Sequence, residues 1–208
     1  MVAALAIAKK LKELYPAPTT ELVFANELQL VVAVMLSAQT TDKKVNQITA
    51  TLFTKYLTWA DFAQAELSVL QKDIYGVNFH LGKADRLIKA GRYIIENFAG
   101  KVPQTLAELV RIPGVARKSA NVILNELWDR AEGIVVDTHV TRVSTRLGLT
   151  TQTDAVKIEQ DLMQLLPKDY WRNYSGAVVL HGRYICVARK PKCSECGLNL
   201  LCPSAFTL

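Results

Sequence analysis

The sequence has few of the features that mark membrane or secreted proteins. It has no cysteine before position 186, and its apolar runs, such as Leu30–Leu36, fall far short of the ~20 residues that span a bilayer. No secretion signal, low-complexity tract, internal repeat or long linker is visible. We therefore predict a protein with no membrane association, located in the reducing cytoplasm, where thiols stay free to bind metal.

Alternating, strand-like patterns are also scarce. Apolar residues instead recur every three or four positions, as in Leu67, Leu70 and Ile74, while prolines and glycines divide the chain into roughly ten segments of helical length. The one strong β-branched run, Ile134–Val136, is too short for a confident strand and reads as a buried approach to Asp137. The sequence predicts an all-α fold.

Acidic residues are missing from one part of the chain. Overall there are 25 Lys and Arg against 19 Asp and Glu, a net charge of +6. Residues 181–192 contain Arg183, Arg189, Lys190 and Lys192 and no acid. This distribution favours a polyanionic partner, and a solvated basic face is the alternative.

All four cysteines lie close together near the C-terminus, at Cys186, Cys193, Cys196 and Cys202. Four thiolates that converge can hold an iron–sulfur cluster or a zinc ion. Zinc ribbons usually use two close pairs, whereas here only Cys193 and Cys196 are so close. The C-x6-C-x2-C-x5-C spacing therefore predicts a four-iron, four-sulfur cluster, with zinc and disulfides as alternatives.

A second pattern predicts a helical hairpin. Helical stretches at Thr105–Val110 and Arg117–Trp128 flank a Pro113-Gly114 turn. Such a turn leads into a helix N-terminus, whose unpaired backbone N–H groups and positive dipole end can hold a DNA phosphate without reading the bases. A plain αα-turn is the alternative interpretation.

Two ionisable side chains could carry out chemistry. Lys118 stands at the start of the second hairpin helix, where the dipole and Arg117 disfavour its positive charge and so favour the nucleophilic amine. Asp137 follows an apolar run at a predicted helix start. A carboxylate facing the amine could stabilise a positively charged sugar, although a simple helix N-cap is the alternative for Asp137.

Four segments together resemble the endonuclease III family of DNA glycosylases, a branch of the helix–hairpin–helix superfamily. They are Leu36–Asp42, Ile112–Asn121, Val136–His139 (VDTH) and Leu180–Tyr184, which leads into the four cysteines. The pieces agree with the family in order and spacing over essentially the whole chain. The combination of hairpin, VDTH and cysteine spacing is highly specific.

The resemblance implies a helix–hairpin–helix glycosylase fold in which two helical domains flank a DNA-binding cleft. Residues 22–131 would form the central domain, and residues 1–21 plus 132–208 would form the cluster-bearing domain. The implied function is that of a bifunctional DNA glycosylase and AP lyase of base excision repair. The implied substrate is double-stranded DNA with damaged, above all oxidised, pyrimidines or abasic sites, bound by a monomer in the nucleoid.

The same resemblance assigns roles to individual residues. Lys118 would form a Schiff base at C1′ of the damaged nucleotide, which permits strand nicking by β-elimination, and Asp137 would assist. Gln39 would fill the gap that a flipped base leaves, and Cys186, Cys193, Cys196 and Cys202 would hold the cluster. The expected DNA contacts are Gln39, Phe79, Gly114, Val115, Ala116, Arg117, His139, Arg189, Lys190 and Lys192.

Two positions depart from the family pattern. Ala116 replaces the second glycine of the hairpin, which is harmless only if the backbone there has negative φ. Phe79 replaces the usual leucine wedge and would be a larger plug between bases.

Three alternative functions stay open. An A/G-mismatch adenine glycosylase shares the cluster but commonly lacks the lysine that is present here as Lys118. A pyrimidine-dimer glycosylase of the same superfamily would differ in pocket shape. A non-catalytic Fe–S module that only binds DNA would need neither Lys118 nor Asp137.

Overall fold

The computed structural model describes residues 2–207, and within that span the chain is helical and has no strand. The all-α prediction is confirmed. The α-helices are α1 (Val2–Leu14), α2 (Glu27–Ser37), α3 (Asp42–Lys55), α4 (Trp59–Ala63), α5 (Leu67–Asp73), α6 (His80–Phe98), α7 (Leu106–Leu109), α8 (Arg117–Trp128), α9 (Thr138–Arg146), α10 (Ala155–Leu165) and α11 (Trp171–Tyr184). Short 3₁₀ turns lie at Lys168–Tyr170, Cys193–Glu195 and Asn199–Leu201. None of the helices described is long and apolar enough to cross a membrane.

The chain divides into two compact units. The central unit is Glu21–Trp128, and the terminal unit combines the residues up to Thr20 with those from Asp129 onward. Whether these units are the two folding domains with limits at residues 22 and 131 stays a prediction. Residues 1 and 208 of the second predicted domain lie outside the described residues.

The central unit is built around α2, whose sequence is apolar on every side. Asn26 caps this helix by accepting a hydrogen bond from the Gln29 backbone N–H, and the run Leu30–Leu36 is buried throughout. A helix that is apolar all round has to be surrounded by other elements. Its C-terminal end leads directly to Gln39, so the core of the unit fixes the position of that residue.

The terminal unit has its own core, to which α1, α9, α10 and α11 contribute. Leu11, Val140, Leu162 and Val178 are fully buried there. Beyond Tyr184 it includes Leu198, and Cys186, Cys196 and Cys202 pack against it. Among residues 186–207, which we call the cysteine tail, Leu198 alone is classed as buried.

Candidate functional site

The helical hairpin predicted from the sequence is present in the central unit. α7 begins after the N-cap Thr105, and α8 begins at Arg117. Between them Gly114 has φ of +91°, and a Cβ at this position would lie 2.9 Å from Met35 Cε. Both the backbone angle and the space require glycine here.

The hairpin turn is anchored on the inside and open on the outside. Ile112 and Val115 are buried in the core of the central unit, and the Val115 N–H donates to the Ile112 carbonyl at 3.0 Å. Val115 is one of the predicted DNA contacts. Its side chain is buried and its N–H is used within the turn, so this contact stays a prediction. Gly114, Ala116, Arg117 and Lys118 are exposed.

Ala116 does not need to be glycine. It is absent from the non-glycine residues with positive φ, and its carbonyl accepts the N–H of Ala120 at 2.9 Å as α8 begins. Alanine has no side-chain oxygen with which to cap the first-turn N–H groups. The helix start therefore keeps the character of an anion site, in which backbone N–H groups and the dipole attract a phosphate.

Asp137 is the N-cap of α9, as the alternative interpretation anticipated. Its Oδ1 accepts hydrogen bonds from the backbone N–H groups of His139 (2.8 Å) and Val140 (2.9 Å). The half-buried carboxylate is thus oriented by the helix start, and its Oδ2 accepts no hydrogen bond within the described chain. Capping does not exclude a catalytic role, because one oxygen remains available. Lys118 and Asp137 lie in different units, and their pairing stays a prediction.

Gln39 and Phe79 occupy two loops that contact each other within the central unit. Both side chains are exposed, Phe79 by 67%, and both backbones are left-handed, with φ of 57° and 58°. Asn78 joins the loops: its N–H donates to Thr40 Oγ1 at 3.1 Å, and its side-chain amide donates to the Gln39 carbonyl. A left-handed residue other than glycine costs roughly 1–2 kcal/mol, so surrounding contacts must hold it.

Lys83 is a buried cation beneath these loops. Its side-chain ammonium donates to the carbonyls of Leu36 (2.7 Å) and Ala38 (2.6 Å) and reaches Thr40 Oγ1 at 3.4 Å. Burial lowers the pKa of Lys83 to about 8, and the charge of Arg86 acts in the same direction.

The four cysteines of the terminal unit line one pocket, and all are free thiols. Burial raises the pKa of the Cys196 and Cys202 thiols, and the neighbouring cysteines raise it further. A single zinc ion needs its sulfurs at about 2.3 Å from one point. Within residues 2–207, no group of three or more His, Cys, Asp or Glu side chains is arranged to hold one ion. Four thiols around one pocket are nevertheless a donor set that suits a metal centre.

Hydrogen-bond donors point at three of the four sulfurs, including a backbone donor from Ser204 to Cys202. Arg146 Nη1 donates to Cys186 Sγ at 3.3 Å, and the Leu198 N–H donates to Cys196 Sγ at 3.4 Å. His181 Nε2 lies 3.5 Å from the Cys196 sulfur. Donors of this kind stabilise negative charge on cluster ligands.

The tautomer of His181 is linked to its contact with Tyr15. Burial lowers the pKa of His181 to about 4, so the ring is neutral at pH 7. Burial also raises the pKa of Tyr15, whose hydroxyl lies 3.2 Å from His181 Nδ1 and stays protonated. When Tyr15 donates to Nδ1, the ring hydrogen is on Nε2 and points at Cys196.

Two arginines of α9 attach the start of the cysteine tail. Arg142 donates to the carbonyls of Gly182 (2.8 Å) and Cys186 (3.2 Å), and Arg146 donates to those of Val187 (2.8 Å) and Ala188 (2.9 Å). His139, a predicted DNA contact, is half-buried, and its Nδ1 lies 3.2 Å from Arg142 Nη2.

The predicted basic contacts follow this clamp directly along the chain. Arg189, Lys190 and Lys192 are all exposed. The Lys192 N–H donates to the Ile185 carbonyl at 3.0 Å, which closes the loop that carries the three side chains. The terminal unit therefore presents these cations to solvent from an anchored loop.

Sequence reasoning missed Lys83, Arg142, Arg146, Tyr15 and also His181, although His181 lies within the segment Leu180–Tyr184. The spacing of the two arginines, four apart on one helix face, was the one available signal. Nothing local distinguishes Lys83 from a surface lysine.

Comparison with known proteins agrees with this geometry. A family model described as HhH-GPD superfamily base excision DNA repair protein matches residues 32–168. The chain is 47% identical over 195 residues to endonuclease III of Synechocystis sp., covering 94% of this chain and 89% of the relative. It is 43% identical over 194 residues to endonuclease III of Bacillus subtilis, covering 93% of this chain and 88% of that relative.

Solved structures give the same result. A non-covalent endonuclease III–DNA complex matches with a TM-score of 0.89 at 36% identity, covering 97% of this chain and 94% of that one. A trapped endonuclease III–DNA covalent intermediate, an estranged-adenine complex, also matches with a TM-score of 0.89, at 37% identity and with 96% and 94% coverage. The chain therefore belongs to the endonuclease III family of helix–hairpin–helix enzymes, and it is a DNA glycosylase and AP lyase of base excision repair.

Proposed function

We propose that this enzyme excises oxidised pyrimidines from duplex DNA and nicks the strand at the abasic site, with Lys118 as the nucleophile. The observation that carries the proposal is the exposed side chain of Lys118 in the first turn of α8, directly after the Gly114 turn. A phosphate held by that turn brings the sugar backbone to the same surface. One of the similar solved structures is a trapped covalent endonuclease III–DNA intermediate, which supports a covalent route.

The proposed chemistry needs only the amine and acid–base steps. The neutral amine of Lys118 attacks C1′, the bond from C1′ to the base breaks, and the base leaves with the bonding electron pair and takes up a proton. The amine then loses a proton, and the bond from C1′ to the ring oxygen O4′ breaks; O4′ keeps the electron pair and takes up a proton, which leaves an iminium ion between Lys118 and C1′. Loss of a C2′ proton expels the 3′ phosphate, and hydrolysis of the imine releases Lys118.

Asp137 is proposed to stabilise the positive charge that develops on the sugar. Its Oδ1 accepts the backbone N–H groups of His139 and Val140 at the start of α9, which fixes the orientation of the carboxylate. Oδ2 is then the atom proposed to face the substrate. An oriented carboxylate gives more stabilisation in a water-poor site than a mobile one, because no reorganisation is needed.

The proposed DNA contacts comprise three groups of residues. The exposed hairpin turn, with Gly114, Ala116 and Arg117, grips a phosphate. Arg189, Lys190 and Lys192 add charge from the cysteine tail, and His139 lies near its start. Gln39 and Phe79 enter the duplex where the damaged base flips out, which costs a few kcal/mol of unstacking. We further propose that the protein acts as a monomer in the nucleoid, where its net charge of +6 favours association with DNA.

Cys186, Cys193, Cys196 and Cys202 are proposed to hold a four-iron, four-sulfur cluster. When bound, the cluster supplies iron–thiolate bonds that cross-link the tail. The shared pocket supports this assignment, as do the hydrogen bonds that reach Cys186 and Cys196. The four cysteines would thereby hold the segment Arg189–Lys192 in position to contact the DNA backbone.

The test is single-turnover cleavage of a duplex that contains thymine glycol. Lys118→Ala should lower nicking roughly 10³-fold or more, while Asp137→Asn should lower it roughly 10²-fold. Lys101→Ala, which removes an exposed lysine of the same unit, is the matched control and should cleave normally. Normal nicking by Lys118→Ala would overturn the proposal.

A further inference from the structure

The loops of Gln39 and Phe79 share one set of hydrogen bonds. Three residues make it, Thr40, Asn78 and Lys83, which we call the latch; Asn78 contributes both its backbone N–H and its side-chain amide. Thr40 Oγ1 accepts from the Asn78 N–H at 3.1 Å and from the Lys83 ammonium at 3.4 Å. Two loops about 40 residues apart in sequence are thereby joined through one hydroxyl oxygen.

Lys83 is suited to this position because it completes the end of α2. The last carbonyls of a helix have no partner within it and form the negative end of its dipole. Here Ser37 Oγ donates to the Val34 carbonyl, and Lys83 donates to the Leu36 carbonyl. Lys83 also binds the Ala38 carbonyl, directly before Gln39. A side chain only 4% exposed thus fixes the backbone that leads into the Gln39 loop.

Asn78 completes the join from the other loop. Its side-chain amide donates to the Gln39 carbonyl, and the residue after it is Phe79. The Phe79 carbonyl in turn accepts from the Lys83 N–H at 3.0 Å. Every connection between the two loops therefore involves atoms directly next to Gln39 or Phe79.

The conformations of the two joined residues are unusual. Both are left-handed although neither is glycine, and both side chains are exposed. Strained, exposed residues persist where their surroundings over-determine the backbone, and such strain is found at functional sites. The latch is what over-determines the backbone here.

We propose that the latch of Thr40, Asn78 and Lys83 fixes Gln39 and Phe79 as one rigid two-pronged element, which makes Asn78 and Lys83 positioning residues for base flipping. The proposal rests on the proposed insertion of Gln39 and Phe79 into DNA. If the prongs act together, loss of either one removes most of the benefit of both. If the latch is opened, each prong acts alone.

A double-mutant cycle tests this directly. Single-turnover excision of thymine glycol is measured for Gln39→Ala, Phe79→Ala and the double variant, in the wild-type background and in an open-latch background. The open-latch background combines Thr40→Val with Asn78→Ala, because Asn78→Ala alone keeps the backbone N–H that donates to Thr40 Oγ1. In the wild-type background the double variant should be little slower than the worse single variant. In the open-latch background the two effects should multiply, a change in coupling of roughly fivefold or more.

The substrate dependence of Asn78→Ala provides a second readout. Base excision should slow by roughly tenfold, while nicking of a duplex with a preformed abasic site, which needs no base to be flipped, should change less than about twofold. Fluorescence of 2-aminopurine placed opposite the lesion should show weaker unstacking. A merely structural role would lower both rates together.

Controls keep the outcomes separate. Asn97→Ala removes a side-chain hydrogen bond to the Tyr93 carbonyl within α6, the helix that carries Lys83. This variant should behave as wild type. Lys83→Met is a further latch variant, and if it fails to fold, the open-latch background of Thr40→Val with Asn78→Ala still decides. Unchanged coupling in the open-latch background, or Gln39 and Phe79 variants with normal excision, would overturn the latch. Failure of wild-type enzyme to nick abasic DNA would instead overturn the proposed lyase function.

Discussion

The hairpin of the central unit and the cysteine tail of the terminal unit both present cations to solvent, yet they are held by different forces. The hairpin turn sits on buried Ile112 and Val115, beside a Gly114 that packs against Met35. The tail has Leu198 as its one buried residue between positions 186 and 207. Apolar burial therefore suffices for the first segment, whereas the second depends on arginine clamps and, in our proposal, on metal ligands.

Loss of one metal ligand should disorder the cysteine tail and leave the hairpin intact, which is the largest difference that we expect between the two segments. Cys196→Ser should lose iron and abolish hydrogen-exchange protection across residues 186–207, because little apolar surface remains to order them. Protection in α8 should persist. DNA affinity should fall with the order of the tail. An iron-free protein whose tail stays protected would show that the cluster does not hold it.

The hairpin should instead be sensitive to packing. Gly114→Ala forces a Cβ into left-handed backbone and to within 2.9 Å of Met35 Cε, so it should destabilise the protein by about 1–3 kcal/mol. Ala116→Gly, two residues away, should cost less than about 1 kcal/mol, since Ala116 needs no special φ. Denaturant unfolding of the pair measures the contrast, and equal losses would contradict the assigned backbone.

The arginine clamp should matter for the tail alone. Arg146→Ala removes donors to Val187, Ala188 and the Cys186 sulfur, a loss of about 1–3 kcal/mol for bonds from a charged group. Amide exchange at residues 186–190 should accelerate by roughly tenfold or more, with α8 unchanged. The companion variant is Arg142→Ala, which removes the donors to the Gly182 and Cys186 carbonyls. If amide exchange is unchanged in both variants, the two arginines do not hold the start of the cysteine tail.

Titration of Lys83 should give a smaller effect, confined to the central unit. The pKa of Lys83 is about 8 in the folded chain, below its usual value, so between these values the unfolded chain binds more protons. Stability should therefore rise with pH, by about 1 kcal/mol from pH 7 to 9 relative to Lys83→Met. Equal pH profiles for the two proteins would contradict the burial of the ammonium.

Local patterns were sufficient for some of these features and not for others. The sequence predicted α8 at Arg117–Trp128, where the structure places it, because helix limits follow from Gly114 and the apolar period nearby. The N-cap role of Asp137 was also legible. Lys83 and Arg146 were not, because the main-chain oxygens that they bind lie 41 to 47 residues away in sequence, as in Leu36 and Val187. Such contacts depend on packing, which no spacing rule encodes.

The most direct test of the account is identification of the residue that becomes covalently attached to DNA. Wild-type enzyme is incubated with a thymine glycol duplex and borohydride, which reduces the imine, and the digested adduct is sequenced by mass spectrometry. We predict a sugar remnant on Lys118 alone, no trapped complex for Lys118→Ala, and normal trapping for Lys101→Ala. Trapping at another lysine, or undiminished trapping by Lys118→Ala, would contradict the central claim.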